Sequence, residues 1–482
     1  MSGFWGFRSV AQLGFSLLCL ATLSACHSPS GNSPTPVPLG SEITKDNYLS
    51  GTAFCQTYAS VTGLEYGRYI TVPKDYSHPE NGSLQIYVYT LRAFDPHQAS
   101  YIFVDGGPGQ NTHGIMPEFL HGTMNEMRFD QRGLGCSAPA TWEEYKDTSL
   151  YSSANNVRDM EEIRKAFGIQ KWSVYGVSYG TVPSTMYGHD YAKNLSALVL
   201  EGTVSSIKYL QADAAYSEKS KFNRILDGLN SAQRSQFGNL WNSNEQNQKV
   251  LHTILESIGD YHDDGENLAL SYLQQILNFD GSVNKDNLSD LTQRVNQLGA
   301  GSLHPQKPGA IDVNILNIIY CKNLGAMQNG LPGLGFNQYN SFTVIMDAEY
   351  GSLSCGSAGV QQTDVDNYEP QNFPVDSPVY YFQGEDDGAT LEPGAVHHWQ
   401  TVPQNQKYFL LAKKGGHNPN LTRIAAKSQS SDELTLFSLA VNAQPISTEA
   451  VAAENSKAPT AEPWKLYLAK DTPPAVHAED LP

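Results

Sequence analysis

Apolar residues along this chain fall into two kinds of pattern. From Glu65 to Thr90 they alternate, with Tyr66, Tyr69 and Thr71, a turn over residues 75–82, and then Leu84, Ile86 and Val88 on one face. This spacing predicts an entry hairpin. Short runs, most of them apolar on both faces, follow at residues 100–104, 124–129, 172–177, 195–200, 379–382 and 408–412, and read as strands. Between them lie helical spacings: Val157, Met160, Ile163 and Phe167 within residues 155–167, then residues 181–191, 393–401 and 432–442. Strands alternating with helices predict an α/β chain with a doubly wound, mostly parallel sheet.

The rhythm breaks once. From Ser205 to Asn372 the text is polar and helical, as in Leu268, Leu270, Leu273, Ile276 and Leu277, with glycine breaks at Gly259, Gly281, Gly299 to Gly301 and Gly330 to Gly335. It reads as a large helical cap inserted late in the sheet. The expected organisation is a signal at 1–25, a tether at 26–50, a first core part at 51–204, the cap at 205–375, a second core part at 376–442, and a loosely ordered Ala, Pro and Glu rich tail at 443–482.

Composition narrows the class of protein. The 482 residues are 40% hydrophobic, enough for a large core, and carry 49 acidic against 31 basic side chains, net −18. Such a balance argues against nucleic acid or an anionic membrane surface as partner. Residues 1–25 hold one base, Arg8, no acid, and an apolar stretch from Val10 to Leu23, which is the pattern of a secretory signal. It ends in Leu23-Ser24-Ala25-Cys26, which resembles the lipobox of bacterial lipoproteins. The expectation is a protein exported and lipid-anchored through Cys26, facing periplasm or cell surface; an ordinary signal cut near Ala25 is the alternative. A Ser and Pro rich run, residues 27–40, follows as a tether.

Cys19 falls within the signal, which leaves Cys55, Cys136, Cys321 and Cys355 in the body. Four thiols in an exported chain predict two disulfides: Cys321 with Cys355, which share the late insert, and by elimination Cys55 with Cys136. No metal-ligand spacing is present, and neither metal nor cofactor is expected.

The chemistry centres on Gly176-Val-Ser178-Tyr-Gly180, a G-x-S-x-G pattern between a strand-like run and a helix-like one. Such a turn exposes the Ser hydroxyl where strand passes into helix. A Ser hydroxyl needs a His to take its proton, and that His needs an acid. In the order Ser, acid, His, the chain offers Gly384-Glu385-Asp386-Asp387 after one strand and Gly415-Gly416-His417 after another. Counting past Gly384 favours Asp387, with Asp386 left open. His113, His121, His397 and His398 read as structural or solvated.

Taken together, Gly106 to Gly109 (GGPG), Asp130 to Ser137 (DQRGLGCS), the elbow, GEDDGAT around Asp387 and GGH ending at His417 resemble the proline iminopeptidase and tripeptidyl aminopeptidase family of α/β-hydrolases. The resemblance runs from about Cys55 to Asn442. It implies an exopeptidase acting on peptides with a free amino terminus, with Ser178 as nucleophile, His417 as base, Asp387 as its acid, and the backbone N–H groups of Gly107 and Tyr179 as oxyanion hole. It also implies an acidic clamp for the substrate amine near the cap, for which Glu201, Asp213 and Glu218 are the candidates, Glu201 foremost because it ends a strand. The chain departs from the family at Asp105, where a His is usual, and after Asp387, where a Pro-rich stretch is usual. A carboxylate pointing into an oxyanion hole opposes the charge that develops there, so Asp105 is expected to face away, toward Arg132. An esterase or amidase shares the same constellation, and a non-catalytic binding protein on this scaffold is a further class.

Overall fold

The computed structural model describes residues 43–60, 64–113, 118–120, 122–212, 218–255, 262–302, 306–325, 355–356, 358–403, 405–427, 435–457, 463–472 and 474. The signal, Cys26, the tether up to residue 42, His121 and Asp213 lie outside them. Nine strands, β1 (Gly67–Pro73), β2 (Ser83–Thr90), β3 (Ser100–Val104), β4 (Asn125–Phe129), β5 (Trp172–Val177), β6 (Leu195–Glu201), β7 (Val379–Gly384), β8 (Lys407–Ala412) and β9 (Trp464–Leu468), form one sheet. Its order is β1-β2-β4-β3-β5-β6-β7-β8-β9. The six strands from β4 to β8 run parallel, while β1, β2 and β9 pair antiparallel at the edges.

The mostly apolar strands have a simple cause. Ile102, Val104, Val174, Leu198 and Leu200 face one apolar cluster, while Tyr101, Phe103, Tyr175, Ala197 and Val199 face a second on the other side of the sheet. Because alternate side chains point to opposite faces, a strand covered on both is apolar at most positions, and polar exceptions are paired, as Glu126 with Arg128 in β4. The helices Ser153–Ala166 and Thr181–Asp190 cover the first face; Thr435–Val441 covers the second.

The insert divides in two. Helices Glu218–Asp227, Ser231–Trp241, Glu245–Thr253, Gly265–Ile276 and Lys285–Ser302 belong to a body whose own core runs from Phe222 to Leu291. The helix Val313–Asn323, expected within the cap, instead buries Ile315, Ile318 and Ile319 in the core of the sheet. The tail also differs from expectation. Helix Thr448–Lys457 buries Val451, and β9 adds a strand beside β8, because the run Trp464 to Leu468 supplies an aromatic edge that the surrounding Ala and Pro obscure.

Both disulfides pair as the sequence predicts. Cys55–Cys136 has a Cα separation of 5.2 Å and ties the helix Gly51–Thr57 to the loop after β4. Cys321–Cys355 spans 5.6 Å.

Candidate active site

Ser178 stands at the end of β5, where strand becomes helix, with φ of 53°, a conformation that costs a non-glycine residue energy and is kept where the surroundings impose it. Its neighbours explain the flanking glycines. A methyl at Gly180 would lie 2.1 Å from the Val104 carbonyl, and one at Gly176 2.4 Å from Ser184 Oγ, so only glycine lets the helix start this close to the sheet. Ser178 is half-buried and its carbonyl accepts from Thr181 Oγ1 at 2.6 Å. The Tyr179 ring is buried, its hydroxyl 2.9 Å from Ser153 Oγ, so this residue offers the site only its backbone.

The GGPG loop after β3 lies against the Ser. A Cβ built on Gly106 would come 2.8 Å from Ser178 Cβ, and Gly107, with φ of 104°, is next along the loop. The returning part of the insert braces this loop. The Asp312 N–H donates to Gly109 O at 2.8 Å, and Asn111 donates to Lys307 O at 2.8 Å and accepts from the Gly309 N–H at 2.9 Å.

Asp105 does not reach Arg132. Its Oδ1 accepts the N–H of Gly106 at 2.8 Å, and burial pushes its carboxyl up to about 7. Arg132 is fully engaged elsewhere: its guanidinium makes a two-pronged pair with Asp159 at 2.7 and 2.6 Å and donates to the carbonyls of Pro73, Lys74 and Leu150. Nothing in the loop sequence marks Asp159 as the partner; it lies on the helix Ser153–Ala166, one face of which the apolar spacing already assigns to the core.

His417 and Asp387 meet at the ends of β8 and β7. His417 Nδ1 lies 3.0 and 3.1 Å from the two carboxylate oxygens. The carboxylate is held in turn by the N–H groups of Ala389 and Thr390 at 2.9 and 2.8 Å, by Thr390 Oγ1 at 2.9 Å and by Gln383 Nε2 at 2.9 Å. Asp386 is half-buried, and its N–H donates to the Gly415 carbonyl instead. Sequence reasoning missed Thr390 and Gln383 as holders of the acid. Thr390 stands inside a motif but unassigned, and Gln383 looks like any strand residue.

Glu201 is placed differently from expectation. It has no solvent exposure, and its oxygens accept from the N–H groups of Asn420 and Leu421 at 2.7 and 2.9 Å and from the Tyr175 hydroxyl. Burial pushes its carboxyl up to about 7. With its acceptor positions filled and no open side, it does not meet a substrate amine. Glu218 opens the helix Glu218–Asp227. The cap approaches His417 through other acids: the N–H of Asp264 donates to Lys414 O at 2.8 Å, and Asp263 Oδ1 accepts from Gly416 N at 3.3 Å, with the Asp263 carboxylate 3.6 Å from Arg423.

His398, His397 and His113 sit in structural settings. His398 is buried and bonded to Tyr381, Tyr368 and Thr185 at 2.9, 2.9 and 3.2 Å, with burial lowering its pKa to about 3, so it stays neutral. His397 rests on the Tyr209 ring and contacts Ser205 Oγ at 2.9 Å. His113 is buried with Nε2 2.6 Å from Asp130 Oδ2. Cys136 is close to both His113 and Asp130, but its sulfur is committed to the disulfide, which leaves that grouping short of a third metal ligand.

A parallel sheet with a Ser elbow after β5 and an Asp–His pair after β7 and β8 matches a known family over residues 102–424, that of the alpha/beta hydrolase fold. The chain belongs to this family. Among curated relatives of this α/β hydrolase, a probable proline iminopeptidase of Streptomyces coelicolor is 31% identical over 120 residues, 25% of this chain and 37% of that protein. A proline iminopeptidase of Neisseria meningitidis serogroup A is 34% identical over 120 residues, 24% of this chain and 36% of that protein. The matches thus span little more than a third of the relatives' length. The crystal structure of a proline iminopeptidase from Mycobacterium smegmatis aligns over 75% of this chain and 96% of its own with 16% identity and a TM-score of 0.38.

Proposed function

We propose that this α/β hydrolase is a serine aminopeptidase that cleaves peptides near a free amino terminus, and that it acts while exported and lipid-anchored through Cys26. The observation that carries the reading is the contact of His417 Nδ1 with Asp387 at 3.0 Å, together with a Ser held at the turn after β5. With Nδ1–H donated to the carboxylate, Nε2 is the basic nitrogen, which is the tautomer a general base needs.

In the proposed reaction Ser178 Oγ attacks the scissile carbonyl carbon while Nε2 of His417 takes the hydroxyl proton. Negative charge on the carbonyl oxygen is met by the N–H groups of Gly107 and Tyr179. The imidazolium then protonates the leaving amine, the C–N bond breaks, and an acyl-enzyme remains on Ser178. Water, deprotonated by His417, attacks that ester, the C–Oγ bond breaks as His417 returns the proton to Ser178 Oγ, and the acid product leaves. Four donors on the Asp387 oxygens hold the carboxylate, and so the ring, in one orientation throughout the cycle.

The aminopeptidase character is supported by the curated relatives' names, and an enzyme of that kind pairs the substrate ammonium and excludes an acylated end. Product mapping by mass spectrometry tests it. An unmodified peptide should yield short fragments from its amino end alone, and its N-acetylated twin should remain whole. Internal cuts, or equal cleavage of both, would oppose the proposal in favour of an esterase or amidase.

A further inference from the structure

We infer that Glu201, together with Gly202, is the positioning device that seats the general base. The inference rests on the reading of His417 as that base. β6 ends at Glu201 and the chain turns at Gly202, with φ of +57°. Across 219 positions of sequence, the Glu201 carboxylate receives the N–H groups of Asn420 and Leu421, in the first turn of helix Pro419–Lys427. Those first N–H groups have no acceptor within their own helix, and a carboxylate there is favoured by the helix dipole. Oε1 accepts both of them whether the carboxyl is charged or protonated.

His417 precedes that helix by a single intervening residue, Asn418, so any play in the first turn is play at the imidazole. Gly202 closes the seat from the other side. A Cβ at this position would stand 2.9 Å from His417 Cε1, 2.9 Å from its carbonyl oxygen and 3.0 Å from Nδ1. The strand end therefore touches the ring while Glu201 grips the helix behind it. Asp387 holds the same ring from β7. The base is thus fixed from two adjacent strands, and β6 supplies the half that the Ser, acid, His formula does not describe. Tyr175, one strand over and three residues before the nucleophile, donates its hydroxyl to Glu201 and ties this seat to β5.

A buried carboxylate on a helix end can also be a stability cap and nothing more, so the test must read alignment separately from folding. The readout is the rate at which a fluorophosphonate labels Ser178, which requires the nucleophile and its base but no peptide recognition. Wild type, Glu201→Ala, Glu201→Gln and Gly202→Ala are compared with thermal unfolding and with kcat and KM on a peptide reporter. Glu201→Ala should label about a hundredfold more slowly, as expected of a base displaced by an ångström, with kcat lowered and KM held within about twofold. Glu201→Gln should restore most of the rate, because its amide oxygen still accepts from Asn420 and Leu421 and its NH₂ can face the Tyr175 oxygen. Gly202→Ala should slow labelling with Glu201 intact. A folded Glu201→Ala that labels at the wild-type rate overturns the inference, as does a folded Glu201→Gln that is as slow as the Ala variant. If Glu201→Ala does not fold, Gly202→Ala decides, and a wild-type rate there overturns it. Wild type that fails to label at Ser178 at all defeats the serine-hydrolase reading itself, and with it the role of the seat.

Discussion

Nδ1 of His417 stands 3.0 Å from Asp387, while Asp386, one position earlier, directs its N–H to the loop that carries the His. If the proposed roles hold, the neighbouring acids separate by mutation. Asp387→Asn should lower kcat by about 10⁴, since an amide there stabilises neither the tautomer nor the imidazolium. Asp386→Asn should stay within a few fold. Ser178→Ala and His417→Ala should each lose several orders of magnitude in kcat while remaining folded, because the rest of the core is untouched. Steady-state kinetics beside circular dichroism melts check both halves.

Much of this site was legible in sequence because one physical demand produced one visible mark. Gly176 and Gly180 are glycine because the elbow touches Ser184 and Val104, and that contact is the same thing as the motif. What stayed hidden depended on distant chain. Glu201 showed as an acid at a strand end, but not that a helix start would descend on it from residue 420. Arg132 was visible, its partner Asp159 was not, and Asp105 turned to its own neighbour Gly106. The strand Trp464–Leu468 was hidden by the composition of its flanks.

Asp105 offers a pH test. Its carboxyl titrates near 3.8 when unfolded and is pushed up to about 7 by burial, with Arg128 opposing and Asp130 adding to the shift. The folded state therefore holds the proton more tightly. The stability this gives is complete below about pH 4 and is lost as pH rises through about 7. Asp105→Asn does not titrate and keeps an acceptor for Gly106 N–H. Relative to wild type it should gain stability, up to a few kcal/mol, between about pH 4 and 8. Denaturation midpoints that stay parallel across this range would contradict the placement.

Arg132 and Asp159 form a pair with almost no solvent contact. Removing one partner strands the other charge in the core, so Asp159→Ala should destabilise by about 3–5 kcal/mol. Arg132→Met with Asp159→Leu should recover only part of that loss, since the carbonyls of Pro73, Lys74 and Leu150 then lose their donor. Urea unfolding of the single and double variants measures it.

Opening the Cys55–Cys136 bridge by Ala at both positions should cost about 2–5 kcal/mol by releasing an 81-residue loop in the unfolded chain. Opening Cys321–Cys355, with a separation of 34, should cost less. The difference should appear in thermal unfolding under oxidising conditions and vanish once the wild type is reduced.

The proposed anchor predicts that Cys26→Ser moves the protein from the membrane fraction to the soluble one or blocks its processing. Immunoblots of fractionated cells read this directly, and a membrane-bound Ser variant would rule the lipid out.

Selectivity of a Ser178 hydrolase for a free amino end is the central proposal. Its most direct test is the turnover of one chromogenic peptide reporter, with free and with N-acetylated amine, by wild type and by Ser178→Ala. Wild type should release rapidly from the free-amine reporter and about a hundredfold less or below from the blocked one, as expected when a desolvated ammonium site is left unpaired, and Ser178→Ala should release nothing above background. Equal release from both reporters, or turnover that survives in Ser178→Ala, would contradict it.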